Sequence, residues 1–178
     1  FIFFPKKLIE FYPSQWELDF EEVFVKNDDG QILHGWYFPG GPPNRTLIYY
    51  HGNAGNIGDR LPKIRLLHGI GMNIFLFDYR GYGVSEGKVD IDGAVADSFC
   101  AYRYVMARED VDPNHILLYG ESLGGAMAVQ VAAQEKHAAL ILEGTFTSVK
   151  DMTRTAYPFL PSALAPDIYR SVDLIRKV

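Results

Sequence analysis

The sequence predicts an α/β fold in which an N-terminal antiparallel hairpin leads into a mostly parallel sheet. The main observation is a set of four continuous apolar runs, at residues 47–50, 74–77, 116–119 and 139–142. None of them alternates polar with apolar residues, and such runs are typical of strands buried on both faces of a sheet. Segments with helical periodicity lie between the runs, which favours parallel pairing through crossover helices.

The hairpin comes first along the chain. Two strand-like runs, at residues 21–25 and 32–38, flank the tetrapeptide Asn27-Asp28-Asp29-Gly30. Asp-Gly between two such runs is a common hairpin signal, because these residues tolerate the backbone angles of a tight turn. We therefore expect the sheet to begin with an antiparallel pair.

Three helices are expected between the buried strands. The first begins near Arg60 and carries Pro62 in its first turn, where a missing backbone N–H is tolerated. The second covers residues 91–106, where apolar residues recur at three- and four-residue steps. The third is the segment 122–134, which is rich in Ala and Met. Each helix connects one buried strand to the next.

The composition excludes several classes of protein. The 178 residues carry 17 Lys and Arg against 22 Asp and Glu, a formal charge of −5, with no basic run that would suit nucleic acid. Cys100 is the single cysteine, which rules out a disulfide framework and a cysteine-built zinc site. No His, Asp and Glu cluster has metal-ligand spacing. We therefore expect no metal, no cofactor and no nucleic-acid partner.

We divide the chain into an N-terminal segment, residues 1–19, and a core, residues 20–178. The apolar start Phe1-Ile2-Phe3-Phe4 is followed by Pro5-Lys6-Lys7, a pattern compatible with the end of a removed membrane anchor or signal segment. An apolar segment that packs on the domain explains the same residues. No apolar run approaches the roughly 20 residues of a membrane span. A cytoplasmic location and an association with a membrane both stay open.

The strongest chemical signal is the motif Gly120-Glu121-Ser122-Leu123-Gly124, which has the form G-x-S-x-G. It directly follows a buried strand and directly precedes a helix, as a nucleophile elbow requires. Ser122 would occupy the sharp turn, and the amide of Leu123 would open the helix and donate to a developing oxyanion. The alternative is a glycine-rich turn that only packs helix on strand.

A second motif, His51-Gly52-Asn53-Ala54-Gly55-Asn56, directly follows the apolar run 47–50. In a hydrolase with such an elbow, the corresponding loop supplies the second oxyanion donor. We favour the amide of Asn53, with that of Ala54 as the alternative. The loop could also simply cap the following helix through Asn56 or Asp59.

The third motif, Asp78-Tyr79-Arg80-Gly81-Tyr82-Gly83, follows the apolar run 74–77. A charged Asp and Arg on a tight turn at a strand end favour a role in fixing the loop geometry. The alternative is that Tyr79 or Tyr82 lines the substrate cleft.

Together the three motifs resemble those of the α/β-hydrolase superfamily, and more narrowly the α/β-hydrolase-domain serine hydrolases that include protein depalmitoylases. The segment Glu143-Gly144-Thr145-Phe146-Thr147-Ser148 is also similar to this group. The resemblance implies an α/β-hydrolase fold, Ser122 as nucleophile and an oxyanion hole from the Leu123 and Asn53 amides. It further implies cleavage of an ester or thioester, in a small molecule or an acylated protein, through an acyl-enzyme.

The sequence departs from the family pattern after the elbow. In this fold the nucleophile is followed by an acid and then by a His, each after a later strand. Only His137 follows Ser122, and it lies at the far end of the elbow helix. His51 lies at the correct end of the sheet, but its ring is expected to bond local backbone. We therefore expect the C-terminal strands, with the Asp and His of the triad, to be missing from this chain.

Glu143 is a candidate acid, since it follows the apolar run 139–142 and some hydrolases of this fold take their acid from that strand. Its alternative role is an anchor for the loop. Further on, three prolines break the chain between residues 158 and 166, which favours a loop-rich cover over the cleft. There Tyr157 and Phe159 are candidates for an acyl pocket.

Two kinds of function remain open on the sequence. The first is a serine hydrolase, or an acyltransferase that would use the same Ser122. The second is a truncated or degenerate hydrolase that binds an acyl ligand or a partner without catalysis.

Overall fold

A computed structural model describes residues 3–41, 45–148, 150 and 171–178 of the chain. It contains one six-stranded mixed sheet with helices on both faces, and a separate two-stranded ladder near the N-terminus. The strands are β1 (Phe4–Pro5), β2 (Glu21–Lys26), β3 (Ile32–Phe38), β4 (Thr46–Tyr50), β5 (Ala54–Gly55), β6 (Asn73–Phe77), β7 (Ile116–Glu121) and β8 (Ala139–Glu143). The longer helices are α1 (Leu61–His68), α2 (Ile91–Met106) and α3 (Leu123–Ala132). Short helical turns cover Pro13–Trp16, Ile57–Arg60, Ser171–Leu174 and Ile175–Lys177.

The main sheet has the strand order β2-β3-β6-β4-β7-β8. The hairpin β2–β3 is antiparallel and joins the sheet through an antiparallel β3–β6 pair. The other pairs, β6–β4, β4–β7 and β7–β8, are parallel. The predicted mostly parallel sheet with an N-terminal antiparallel hairpin is therefore confirmed.

Each predicted buried run became a strand, with bounds that differ by one or two residues. The largest difference lies at the carboxyl end of β7, which continues to Glu121. Helix α3 begins at Leu123 and not at Ser122, because Ser122 has φ 51° and ψ −113°, outside the helical region.

The strands alternate their side chains between two apolar cores. On one face α2 and α3 pack against side chains that include Ile48, Tyr50, Phe75, Phe77 and Leu118. On the other face α1 packs against side chains that include Leu47, Tyr49, Ile74, Leu76 and Tyr119. Burial on both faces explains why these strands read as continuous apolar runs.

The connections from β4 and β7 leave the sheet in opposite directions. From β4 the chain passes through α1 on one face to β6, and from β7 it passes through α3 on the other face to β8. The carboxyl ends of these two neighbouring strands, paired at Tyr50 and Gly120, therefore form a topological switch point. In open α/β sheets ligands bind at such a point.

The N-terminal segment contacts the loop that follows β4. Strand β1 pairs in parallel with β5, with Phe4 opposite Ala54. The side chain of Asn56 donates hydrogen bonds to the carbonyls of Lys6 and Leu8, at 3.1 and 2.8 Å. The separation of residues 1–19 from the core as a distinct unit stays a prediction.

None of the helices in the described residues has the length and apolar character needed to cross a membrane.

Candidate active site

Ser122 lies at the turn between β7 and α3 in a strained conformation. Its φ of 51° is one of two positive values among the described non-glycine residues. Such angles cost of order 1–3 kcal/mol and persist only where the surroundings enforce them. The side chain is partly exposed, although most of α3 behind it is buried.

The glycines of the motif are required by close backbone contacts. A Cβ on Gly124 would overlap the carbonyl group of Tyr50, at the end of β4. A Cβ on Gly120 would lie 2.7 Å from the carbonyl oxygen of Gly124, which is closer than real Cβ atoms approach. The motif thus permits β4, β7 and α3 to meet at the elbow.

The segment after β8 holds the backbone of Ser122 on both sides. The Ser122 N–H donates to the carbonyl of Glu143 at 2.9 Å. The hydroxyl of Thr145 donates to the Ser122 carbonyl, also at 2.9 Å. Gly125 leaves room for Thr145, whose side chain a Cβ there would overlap. These contacts give a structural role to the motif that begins at Glu143.

The amide of Leu123 is the first of helix α3. Among the described residues no hydrogen-bond partner faces this N–H group, whereas the next-but-one amide, of Gly125, donates to the Ser122 carbonyl at 3.0 Å. The first amides of a helix also lie at the positive end of its dipole. The Leu123 N–H therefore suits an anionic oxygen next to Ser122.

The loop after β4, residues 51–56, lies beside the elbow. A Cβ built on Gly52 would be 3.6 Å from the Cβ of Ser122. The side-chain oxygen of Asn53 accepts from the Phe4 N–H at 3.0 Å and from the Tyr82 hydroxyl at 2.9 Å. Asn53 and Ala54, the two predicted oxyanion donors, are therefore both in the loop that approaches Ser122.

The same loop also caps the following helical turn, so the two interpretations of the motif are compatible. Asn56 accepts from the Gly58 N–H at 3.0 Å, and Asp59 accepts from the Asn56 N–H at the same distance. Together these bonds form a capping box at the start of Ile57–Arg60.

Tyr79 and Tyr82 were candidates for the pocket lining, but their side chains are buried and bond to the loop after β4. The Tyr79 hydroxyl donates to the carbonyl of His51 at 3.2 Å. The Tyr82 hydroxyl donates to the carbonyl of Asn53 at 2.7 Å, and burial raises its pKa above the usual range. With exposures of 1% and 0% they support the loop, and their contribution to a substrate pocket stays a prediction.

Glu143, the candidate acid, lies at the end of β8 with its carboxylate bound to two side chains. One oxygen pairs with the ammonium group of Lys63 at 2.6 Å, and the other accepts from the hydroxyl of Tyr119. These contacts correspond to the anchoring alternative, and no hydrogen bond among the described residues joins this carboxylate to a histidine.

All five histidines lie in the described part of the chain, and none is hydrogen-bonded to Ser122 there. His34, His68, His115 and His137 bond to Glu22, Pro39, Asp112 and Glu135 respectively. The fifth, His51, bonds to the carbonyl of Gly52, as expected. Within the described residues, therefore, no histidine is hydrogen-bonded to Ser122, the predicted nucleophile.

One prediction concerns residues that cannot be compared with the structure. Tyr157 and Phe159, the candidates for an acyl pocket, lie outside the described residues. Within the described residues no group of three or more His, Cys, Asp and Glu side chains is arranged to hold a metal ion.

Sequence reasoning missed Arg60. Its guanidinium donates to the carbonyls of Ala54 and Gly52 and lies 3.5 Å from the carboxylate of Glu121. That carboxylate also accepts from the buried Tyr49 hydroxyl at 2.7 Å. Burial, followed by the bond to Glu121, raises the pKa of Tyr49 above its usual range, so the hydroxyl remains a donor. No motif marks Arg60, and only its position in the helical turn after the loop could have suggested it.

The comparisons with known proteins agree with this architecture. The family described as serine aminopeptidase, S33, matches residues 41–172. An uncharacterised Mycobacterium tuberculosis protein, Rv2307c, is 41% identical over 160 residues, which cover 88% of this chain and 57% of that protein. Protein bem46 of Schizosaccharomyces pombe is 38% identical over 175 residues, which cover 93% of this chain and 58% of that protein.

Among solved structures, an esterase of Pyrococcus furiosus superposes with a TM-score of 0.79 at 17% identity, over 98% of this chain and 74% of that one. At this identity the likeness concerns the fold alone. The chain spans a little over half the length of the curated relatives it matches. The family match and the shared fold show that this chain belongs to the serine aminopeptidase S33 family of the α/β-hydrolase superfamily.

Proposed function

We propose that this chain carries the nucleophile and the oxyanion hole of a serine hydrolase that cleaves an ester or thioester. The observation that carries the proposal is the strained, partly exposed Ser122 at the start of α3, beside the loop after β4. Strain of this kind concentrates at functional sites, since the fold must stabilise it elsewhere. The hydrolase family and the esterase fold support the reaction class.

In the proposed reaction the Ser122 oxygen attacks the carbonyl carbon of the substrate and loses its proton to a general base. The carbonyl oxygen becomes an oxyanion, which the amides of Leu123 and Asn53 stabilise by donating hydrogen bonds. The C–O or C–S bond then breaks, and the leaving group takes the proton from the base. Water cleaves the resulting acyl-enzyme by the same steps and restores the Ser122 hydroxyl.

The general base is proposed to come from outside these 178 residues, because each histidine within them has its own partner away from Ser122. Glu143 is not needed as the acid in this scheme, since Lys63 and Tyr119 already bind its carboxylate. The proposed substrate is an acylated small molecule or protein. No metal or nucleic acid takes part in the scheme, and membrane association is proposed only through residues that precede the described ones.

The proposal is tested by turnover of p-nitrophenyl esters and of acyl thioesters by the full-length protein. We expect Ser122→Ala to abolish turnover, and Ser14→Ala, which changes an exposed serine near the N-terminus, to leave it unchanged. Turnover that survives in Ser122→Ala would contradict the proposal. Binding of acyl ligands by the wild type without any turnover would instead favour the second function, a non-catalytic binding module.

A further inference from the structure

The carbonyl group of Gly52 is held from two directions. The ring nitrogen Nδ1 of His51 lies 2.7 Å from its oxygen, and a guanidinium nitrogen of Arg60 lies 3.4 Å from it. A carbonyl oxygen can only accept, so Nδ1 of His51 carries a proton. Both donors fix the plane of the peptide that joins Gly52 to Asn53.

The orientation of that peptide determines where the Asn53 N–H points. A trans peptide is planar, with its C=O and N–H directed to opposite sides. The C=O of Gly52 points toward His51 and Arg60, so the N–H of Asn53 points away from both. This N–H is the second oxyanion donor of the proposed reaction, and its direction therefore depends on these two side chains.

The ring of His51 is itself held by a buried carboxylate. Its other nitrogen, Nε2, lies 3.2 Å from Asp78, and both side chains are fully buried. This is a close approach and not a hydrogen bond, since Nε2 has no hydrogen-bond partner among the described residues. The same Asp78 oxygen accepts from the Ile57 N–H at 3.0 Å. Tyr79 and Tyr82 enclose the ring, with centroids 4.6 and 5.2 Å away.

Asp78 packs against the side of the His51 ring opposite the Gly52 carbonyl. Its near oxygen accepts from the Ile57 N–H, which fixes the Asp78 side chain against the helical turn that follows the loop. The other Asp78 oxygen has no hydrogen-bond partner among the described residues. The ring therefore has a fixed neighbour on each side.

Arg60 connects the same peptide to the elbow. Besides the Gly52 carbonyl it binds the carbonyl of Ala54, and its Nε lies 3.5 Å from the carboxylate of Glu121, the residue before the nucleophile. The hydroxyl of Tyr49 donates to that carboxylate at 2.7 Å. The side chain of Arg60 is 16% exposed, so solvent screens these interactions only in part.

We propose that His51, held by Asp78, and Arg60 are positioning residues that direct the Asn53 amide at the oxyanion formed on the substrate of Ser122. This inference rests on the proposed hydrolase function. Among the described residues no hydrogen bond joins either side chain to Ser122. Their effect is to fix a donor before the reaction, so that no reorganisation is needed when charge develops.

Two substitutions of His51 separate this role from simple core packing. The amide nitrogen of an asparagine lies close to the position of Nδ1, and that of a glutamine close to the position of Nε2. His51→Asn therefore retains a donor to the Gly52 carbonyl, whereas His51→Gln directs its donor toward Asp78. Steady-state turnover of a neutral ester by the full-length protein, normalised to the folded fraction, compares the two variants.

We expect kcat of His51→Gln to fall by about 100-fold or more, the effect of losing one oxyanion donor, and that of His51→Asn to fall by no more than about 10-fold. KM should change little in either variant, because binding of the substrate in its ground state depends only weakly on the oxyanion hole. The affinity for a boronic acid, which forms a tetrahedral adduct with the serine, should fall in parallel with kcat.

Arg60 provides a second test if the buried histidine variants do not fold. We expect Arg60→Ala to lower kcat at nearly constant KM, and millimolar guanidinium to restore part of the loss. Arg103→Ala, which removes an exposed arginine paired with Asp28, is the matched control. Its kcat should equal that of the wild type, and guanidinium should not change it.

Equal kcat in wild type, His51→Gln and Arg60→Ala would overturn the inference while leaving the proposed function intact. A loss in Arg60→Ala that appears only as a smaller folded fraction, with no rescue by guanidinium, would also overturn it. The absence of Ser122-dependent turnover in the wild type would overturn the proposed function first, and this inference with it.

Discussion

Gly124 lies directly against the carbonyl group of Tyr50, with no space between them for even a methyl group. The contact joins the first turn of α3 to the end of β4. It brings the elbow and the loop after β4 together, because the same turn carries Ser122 and the same strand leads into His51. Packing at one glycine therefore sets the distance between Ser122 and the loop that carries Asn53.

This contact predicts that Gly124→Ala destabilises the protein strongly. The added methyl group would collide with backbone atoms of Tyr50 and His51, which cannot move without shifting the strand. We expect the free energy of unfolding to fall by about 3 kcal/mol and Ser122 reactivity to be lost. Chemical denaturation measures the change.

Gly69→Ala is the matched control, since a Cβ there would meet its nearest atoms at 3.4 Å and the residue has helical backbone angles. It should change the free energy of unfolding by less than about 1 kcal/mol. Similar losses in the two variants would show that the contact with Tyr50 is not the cause.

The strained backbone of Ser122 predicts an unusual stability effect. Glycine adopts a positive φ without steric cost, whereas alanine retains the strain of the native serine. We expect Ser122→Gly to be more stable than Ser122→Ala by about 1 kcal/mol, with both variants inactive. Thermal and chemical unfolding of the pair give the difference, and an alanine variant as stable as the glycine variant would argue against strain at this residue.

The fold was predictable because its signals are local. A continuous apolar run marks each buried strand, and the G-x-S-x-G motif lies within the strand–turn–helix that it describes. The contacts of the site are not local. Asp78 meets His51, and Glu121 meets Arg60, only because parallel strands bring their carboxyl ends to the same edge of the sheet. For the same reason the burial of Tyr79 and Tyr82 could not be distinguished from a pocket lining by sequence.

A buried ion pair holds the turn after β6 against α2. The carboxylate of Asp97 accepts three hydrogen bonds from Arg80 and one from Asn27, all between 2.8 and 3.0 Å. Asp97 is fully buried, so Asp97→Asn would leave the guanidinium with the exposed Asp29 as its remaining charge partner. We expect the free energy of unfolding to fall by about 3–5 kcal/mol, as measured by denaturant titration.

Asp28→Asn serves as the control for that experiment. It breaks a pair with Arg103 in which both side chains are at least half exposed. The expected loss is below about 1 kcal/mol, because solvent screens the pair. A loss comparable to that of Asp97→Asn would mean that burial is not what makes the Arg80–Asp97 pair important.

The thiol of Cys100 is predicted to be unreactive in the folded protein. Its side chain is buried on α2, and burial raises its pKa above the ordinary value of 9.0. The thiolate is the nucleophilic form, so alkylation by iodoacetamide at pH 8 should be slow and should accelerate with increasing pH. Peptide mass spectrometry measures the rate in native buffer and in denaturant. Rapid modification of Cys100 in native buffer would contradict its buried position.

An activated Ser122 in the full-length protein should react with a fluorophosphonate. Intact mass of the wild type and of Ser122→Ala after this treatment measures the reaction. We predict one equivalent of label in the wild type, located on Ser122, and none in the alanine variant. A folded full-length protein that takes up no label, or that takes it up equally in both forms, would show that Ser122 is not an activated nucleophile.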